Sequence, residues 1–413
     1  MRNCFLHFVF LVFYGLLIST NANSQLQKIY LNPKAPGGGK QSQFVDSIRF
    51  IPLEPKDDIR LGEYYNIQVL EKFFMVGDYQ NKRIILYSKD GRFLKIINYK
   101  KLGGLYPNYI PHRNEIVFFG SNNNYALTTK DQTKIRLDWT NDQNKKYFKK
   151  YALDLGDPTF TIKKSTPEQN DIIRSYHFYD DYYWQGQITT SPLFKDSLDY
   201  EIKIYKDNQL VKGFFPYNKI NEPRFLFAQE NVSSVRTDTP YTNIITRPFS
   251  DTIYKMVKDS LYPAYHLVTP LENSLPPSFF TKPFKNKTER DNFYRNNGWM
   301  LRQVYNFIET PKYIIFVVQY LSNVESYVYL KQTNTTYRTK NIKADSSHYN
   351  VQVFSDLNIR RNGDWFYKSQ PAGDLVNFFE KNKNATIPKE LESFLKSKPP
   401  ATSPVIVEYK LKN

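Results

Sequence analysis

Few residues in this sequence have a type and spacing suited to chemistry. After the first 24 residues the histidines are His112, His177, His266 and His348, and no two lie within five positions of each other. There is no His-x-His, no His-Glu-x-x-His and no glycine-rich phosphate loop, so the short local metal and nucleotide motifs are missing. A Gly-x-Ser-x-Gly nucleophile elbow is missing too. Adjacent carboxylates occur at Asp57-Asp58, which reads as an exposed loop, and at Asp180-Asp181, which reads as a hairpin turn or part of a site. The densest group is ring-rich: Tyr176, His177, Phe178, Tyr179, Tyr182, Tyr183 and Trp184. Such rings either stack on sugars or pack strands together. The candidate ligand-binding set is therefore His177, Tyr179, Asp180, Asp181, Tyr183 and Trp184, with no catalytic, metal or cofactor residue assigned.

These side chains need a frame, and the stretch FFMVGDYQNKRIILYSKDGRFLKIIN (73–98) supplies its unit. Phe73–Val76 is an apolar run. Arg83–Tyr87 is a second, with Ile84 and Leu86 on one side and Ile85 and Tyr87 on the other. Both sides are apolar, so neighbouring sheets should cover both. Asp90-Gly91 is a hairpin signal, because glycine takes positive φ without steric cost. The same rhythm returns at 115–139, 175–191, 199–217, 243–267 and 312–342, with isolated strands at 363–369 and 403–411. Short strands at this spacing indicate an all-β repeat fold, and stacked small sheets indicate a β-propeller. Helices are expected around Thr166–Gln169, at Thr288–Asn297, Asp374–Lys381 and Pro388–Lys396, either as binding or lid elements or as caps on the channel.

The compartment is read at the N-terminus. Arg2 precedes a largely apolar run, Phe5–Ile18, and Ala22-Asn23-Ser24 offers small residues before Gln25. A run of about 14 residues is short for a membrane span, so residues 1–24 read as a cleaved export signal, with an uncleaved anchor as the alternative. Cys4 lies inside that segment and is the only cysteine, which removes disulfides and thiol chemistry from the mature chain. Residues 25–43, with Gly37-Gly38-Gly39, read as a flexible linker, and 44–413 as one domain. No later stretch is long enough for a transmembrane helix. The net charge is +17, but its lysines are scattered and Lys145-Lys146 with Lys149-Lys150 is the tightest group. Nucleic acid is excluded as a partner; solvated basic faces or attraction to an anionic envelope surface remain.

FVDSIRFIPLEPKDDIRLGE (44–63) resembles the entry strand of the bacterial six-bladed β-propeller family related to NHL-repeat propellers, an exported family of unknown function. Residues 73–97 are similar to that family's first blade, with an aspartate after the first strand and Asp-Gly closing the hairpin. RPFSDTIYKM (247–256) with LYPAYHL (261–267), and the last strand SPVIVEYKLK, match further pieces, whereas KKLGGLYPNY (100–109) departs from the family's usual loop. The resemblance implies a six-bladed ring closed by Ser47–Leu53 lying beside Val405–Leu411. Length at about 45 residues per blade would allow roughly eight, so six blades require the helical insertions to absorb the excess. Two functions follow as expectations. One is an exported, non-catalytic binding or scaffold protein, in the periplasm or on the outer surface, for a glycan, peptide or envelope protein. The other is a propeller-type hydrolase or lyase with an axial metal.

Overall fold

The computed structural model describes residues 26–412 apart from 57–60, 63–64, 104, 123–127, 129–130, 132–134, 136–140, 169–170, 172–175, 187, 189–196, 208, 221–230, 283 and 355–359. The expected signal segment lies outside the described residues, as does most of the second half of the repeat expected at 115–139. The chain forms six antiparallel sheets in a propeller. Blade I is Tyr65–Val69, Phe73–Asp78, Arg83–Ser88 and Phe93–Asn98; blade II is Tyr106–Ile110, Glu115–Ser121, Phe148–Asp154 and Lys163–Ser165. Blade III is Tyr176–Tyr179, Tyr182–Gln185, Leu198–Lys206 and Gln209–Asn218; blade IV is Ser233–Arg236, Thr242–Thr246, Thr252–Val257 and Ser260–Val268. Blade V is Leu301–Glu309, Tyr313–Tyr320, Val324–Leu330 and Thr335–Lys343. Blade VI takes Arg360–Asn362, Trp365–Pro371 and Pro404–Leu411 from the end of the chain and Val45–Pro52 from its beginning.

Strand alternation explains why the blades stack. In blade I, Met75, Ile84 and Leu86 pack with Ile116, Phe118 and Leu153 of blade II. Their sequence neighbours Phe74, Val76, Ile85 and Tyr87 pack the other way, with Tyr367 and Ile406 of blade VI and Ile51 of the entry strand. One strand thus serves two seams, as its two apolar sides require. Blade V repeats the device: Ile315 and Val328 face blade VI, while Ile314, Phe316 and Tyr327 face blade IV.

The two segments lie side by side as the resemblance implied, antiparallel, with Ile48 opposite Tyr409, Arg49 opposite Glu408 and Phe50 opposite Val407. Glu408 is 4% exposed and bonds the Arg49 guanidinium. The blade I hairpin seals this joint. Gly91 adopts φ +89°, and a Cβ there would lie 2.3 Å from the Pro52 carbonyl oxygen, so only glycine fits. Asp78, the aspartate of the first-blade motif, is fully buried and accepts from Asn81 and from Arg83 Nε at 2.9 Å, which organises the preceding turn.

The segment expected to be a linker is laid along the ring. Gln27–Tyr30 adds in parallel to the outer strand of blade IV, and Gly37–Lys40 to that of blade V. The glycine run has a packing reason: a Cβ on Gly38 would stand 2.9 Å from the Asn341 carbonyl oxygen, and one on Gly37 3.0 Å from that of Thr336. The glycines permit close approach to a neighbouring backbone.

Among the described residues four α-helices interrupt the strands: α1 (Pro277–Thr281) and α2 (Lys287–Asn296) before blade V, and α3 (Ala372–Lys381) and α4 (Lys389–Lys396) within blade VI. Helix α2 begins just before the expected Thr288, because the Asn286 side chain accepts the Glu289 N–H. Phe279 of α1 and Phe293 of α2 pack into the apolar seam between blades III and IV, and Leu375, Phe379, Leu391 and Phe394 of α3 and α4 pack into that between V and VI. The helices cover core rather than stand free as lids. Because Phe50 is 2% exposed within that last seam, Phe50→Ala should cost about 3–5 kcal/mol in urea unfolding. A loss below about 1 kcal/mol would contradict the closure.

Candidate polar site at one mouth of the channel

Five apolar clusters account for five seams of the ring, and the described residues between blades II and III add a charged and aromatic group to Val117 and the stacked Phe119 and Phe148. The turn Pro111–Arg113 follows the innermost strand of blade II, and His177 stands on the innermost strand of blade III. The imidazoles of His112 and His177 stack with centroids 3.8 Å apart and planes 19° from parallel. The Tyr183 ring meets His177 edge-on at 5.6 Å, and His177 Nε2 lies 2.9 Å from the Asp180 carbonyl oxygen. Burial of the ring, with lesser repulsion from His177, Arg113 and Arg236, pushes His112 down to about 4. At neutral pH it is an uncharged imidazole beside arginines.

Behind the histidines lies an ion network. Arg113 donates two parallel bonds to the Glu168 carboxylate, at 3.0 and 2.7 Å. Lys150 is 2% exposed, and its ammonium reaches Glu168 at 3.2 Å and Asp171 at 2.9 Å. Asp171 also accepts the Glu168 N–H at 2.7 Å. The bond from Arg113, then the charge of Lys150, hold Glu168 at about 2 despite its partial burial. The bond to Glu168 correspondingly raises Arg113, with a smaller contribution from the Tyr183 hydroxyl.

The remaining groups reach the same mouth from the far side. The charge of Arg236, at the end of the innermost strand of blade IV, is felt at His112 of blade II, across the position of blade III. Asp238, just beyond that strand, bonds Arg361 of blade VI at 2.5 Å, passing over blade V. The Asp238–Arg361 pair, which skips a blade, can form only near the axis. Asn306 of blade V lines the same space. Among the described residues no three His, Cys, Asp or Glu side chains gather as a metal ion would need.

The six residues singled out in the sequence therefore separate. His177 and Tyr183 come together with His112. Tyr179 and Trp184 are 8% and 6% exposed in the apolar seam toward blade IV; Tyr179 stacks on Tyr182 at 4.6 Å, and its hydroxyl is pushed up to about 12 by burial. A register shift between His177 and Tyr179 explains why these two do not share a face. Asp180 takes φ +44° at the hairpin, and Asp181 lies 3.7 Å from Lys206. Sequence reasoning missed Arg113, Lys150, Glu168, Arg236, Asp238 and Arg361. Lys150 carried one available signal: Lys149 and Lys150 are neighbours on a strand, so one of the two had to point inward.

Two outcomes follow. In an NMR titration His112 should stay neutral until pH approaches 4; a midpoint near 6.5 would contradict its packing. Its depressed value stabilises the fold above about pH 6.5, and that contribution is lost as pH falls toward 4. Removing both carboxylates, Glu168→Gln with Asp171→Asn, strands the buried Lys150 and should cost about 3–5 kcal/mol, whereas adding Lys150→Met should restore most of it. Equal losses with and without Lys150→Met would show that the network is not what holds the seam.

The fold is similar to that of a candidate exported protein of Bacteroides fragilis, with 14% identity, a TM-score of 0.56, and 94% of this chain and 100% of that one covered. Weaker likenesses are to a DUF4221-family member of Bacteroides vulgatus (10% identity, TM-score 0.45, 89% and 97% covered) and to virginiamycin B lyase of Staphylococcus aureus (9%, 0.35, 89% and 99%). Curated protein sequences provide no match. Over residues 31–410 the chain matches the profile of DUF4934, a domain of unknown function, and it belongs to that family.

Proposed function

We propose that this protein is an exported, non-catalytic binding propeller of the cell envelope, which holds its ligand at the polar mouth of the central channel. One observation carries the reading: polar groups from blades II, III, IV, V and VI converge on that mouth. Pockets of this kind, with a few convergent polar groups on a rigid frame, are where ligands are held. Arg236 is exposed and has no acidic partner within 4 Å among the described residues, so it meets solvent with its charge unanswered. The stacked histidines give a flat polar surface, and His112 feels the charge of Arg236. A glycan, a peptide or an envelope protein suits such a surface.

Export is supported by the apolar leader and by the likeness to a protein named as a candidate exported protein. No described helix is long and apolar enough to cross a membrane. Expressed with its leader in a Gram-negative host, the protein should be recovered outside the cytoplasm starting at Gln25; an intact Met1 in the cytoplasmic fraction would overturn export. For binding, a glycan array probed with the mature chain should show hits that weaken at least about tenfold (~1.4 kcal/mol) in Arg236→Ala with His112→Ala. Hits of undiminished strength in that variant would place the ligand elsewhere.

A further inference from the structure

Between the innermost strands of blades IV, V and VI lies a cavity of about 200 Å3, lined among others by Arg236, Asp238, Asn306, Ile308, Arg361 and Gly363. Its electrostatics are unusual for an interior space. Arg361 is sequestered: its side chain is 13% exposed, its guanidinium lies 5.8 Å from the Phe366 ring centroid, and one amino group is 3.5 Å from the Glu309 carbonyl oxygen. The carboxylate that answers it belongs to Asp238, which is 68% exposed. A guanidinium in a half-dry site is thus matched by a group that can leave into water at little cost. Arg236 supplies a second cation without an acidic partner among the described residues, so the charged lining carries more positive than negative groups.

The backbone keeps this space open. The innermost strand of blade V shifts register between Tyr305 and Ile308, and Asn306 sits in the bulge at φ +50°. Bulges of this kind re-aim a side chain, and asparagine tolerates the left-handed conformation better than most residues. Gly363 takes φ +59°, and a Cβ built there meets nothing within 4 Å. The cavity therefore has room that no side chain fills. It falls below the roughly 300–1,000 Å3 of a pocket for a whole small molecule, and suits one charged end of a ligand whose remainder lies in the channel mouth.

We propose that this cavity recognises a carboxylate: the ligand's carboxylate takes the place of Asp238 on Arg361 and is bound from the other side by Arg236. The proposal rests on the binding reading above and names the chemical group bound. A carboxylate is favoured over other anions because the group that Arg361 holds in the resting ring is itself a carboxylate, and Asp238 engages only one amino group of the guanidinium fork. The exchange breaks one ion pair and forms another, and the contact with Arg236 makes up the difference.

Calorimetric titration of the mature chain with sodium glucuronate, glucose and inorganic phosphate tests this. Glucuronate should bind and glucose should not. Arg236→Gln, at an exposed position, should weaken glucuronate at least about tenfold without unfolding the ring. Asp238→Asn should tighten it several-fold, because the resident competitor is gone; a purely structural Asp238 predicts no gain. Phosphate bound as tightly as glucuronate, or weaker binding in Asp238→Asn, would overturn the proposal. If glucuronate fails while array ligands still depend on Arg236 and His112, this inference falls and the binding reading stands. If nothing binds in an Arg236-dependent way, both fall.

Discussion

The pairing of Val45–Pro52 with Pro404–Leu411 is the constraint on which the rest of this molecule depends. A row of sheets stacked face to face leaves an apolar face bare at each end unless the row bends into a ring. Here the ends meet inside one blade, so the faces of blades I and VI cover each other and Ile51, Phe74, Ile85 and Ile406 share one cluster. The seal is also electrostatic. Glu408 is buried beside the Arg49 guanidinium, and the Lys89 ammonium lies 4.7 Å from the Phe74 ring and 5.4 Å from the Tyr367 ring, close enough to feel the Glu408 charge. Burial lowers Lys89 and the carboxylate opposes that shift. The channel mouth inherits its geometry from this joint. Arg361 sits on the blade that closes the ring, and Asp238 reaches it only if closure brings blades IV and VI to either side of blade V near the axis.

Between blades II and III the described residues include an ion network centred on the buried Lys150. Buried ion networks add little net stability compared with apolar packing of the same volume, but they tolerate few alternative geometries. Lys150, Glu168, Asp171 and Arg113 must all be in place before any is satisfied. The arrangement fixes the turn that carries His112, and His112 then positions the stacked pair at the mouth. Stability in this region is exchanged for orientation.

Much of the frame was legible in the sequence because it rests on local rules. Alternating apolar residues at 83–87, Asp-Gly at a hairpin and matching apolar strands at the two ends each carry their structure in a handful of neighbours. Helices α2 and α4 were likewise readable from a cap or breakers, and α3 from the apolar face of Leu375, Phe378 and Phe379. The glycine run at 37–39 was misread because its reason is non-local: it makes room for the backbone at Thr336 and Asn341, some three hundred positions away. The aromatic group at 176–184 looked like one surface, but strand alternation and a register shift send Trp184 to the core and His177 to the mouth. The mouth itself was illegible. Its residues come from five blades, each an ordinary arginine, histidine or aspartate in its own stretch, and only closure makes them neighbours.

The most direct test of that closure uses the absence of cysteine after Cys4. In a chain beginning at Gln25, Arg49→Cys and Glu408→Cys introduce the only two thiols, at positions paired directly across the joint. Under mild oxidation the two should form an intramolecular disulfide in high yield in the folded protein and lose it when the chain is first unfolded in urea. Thiols that stay free in the folded protein, or that link only between molecules, would contradict the ring.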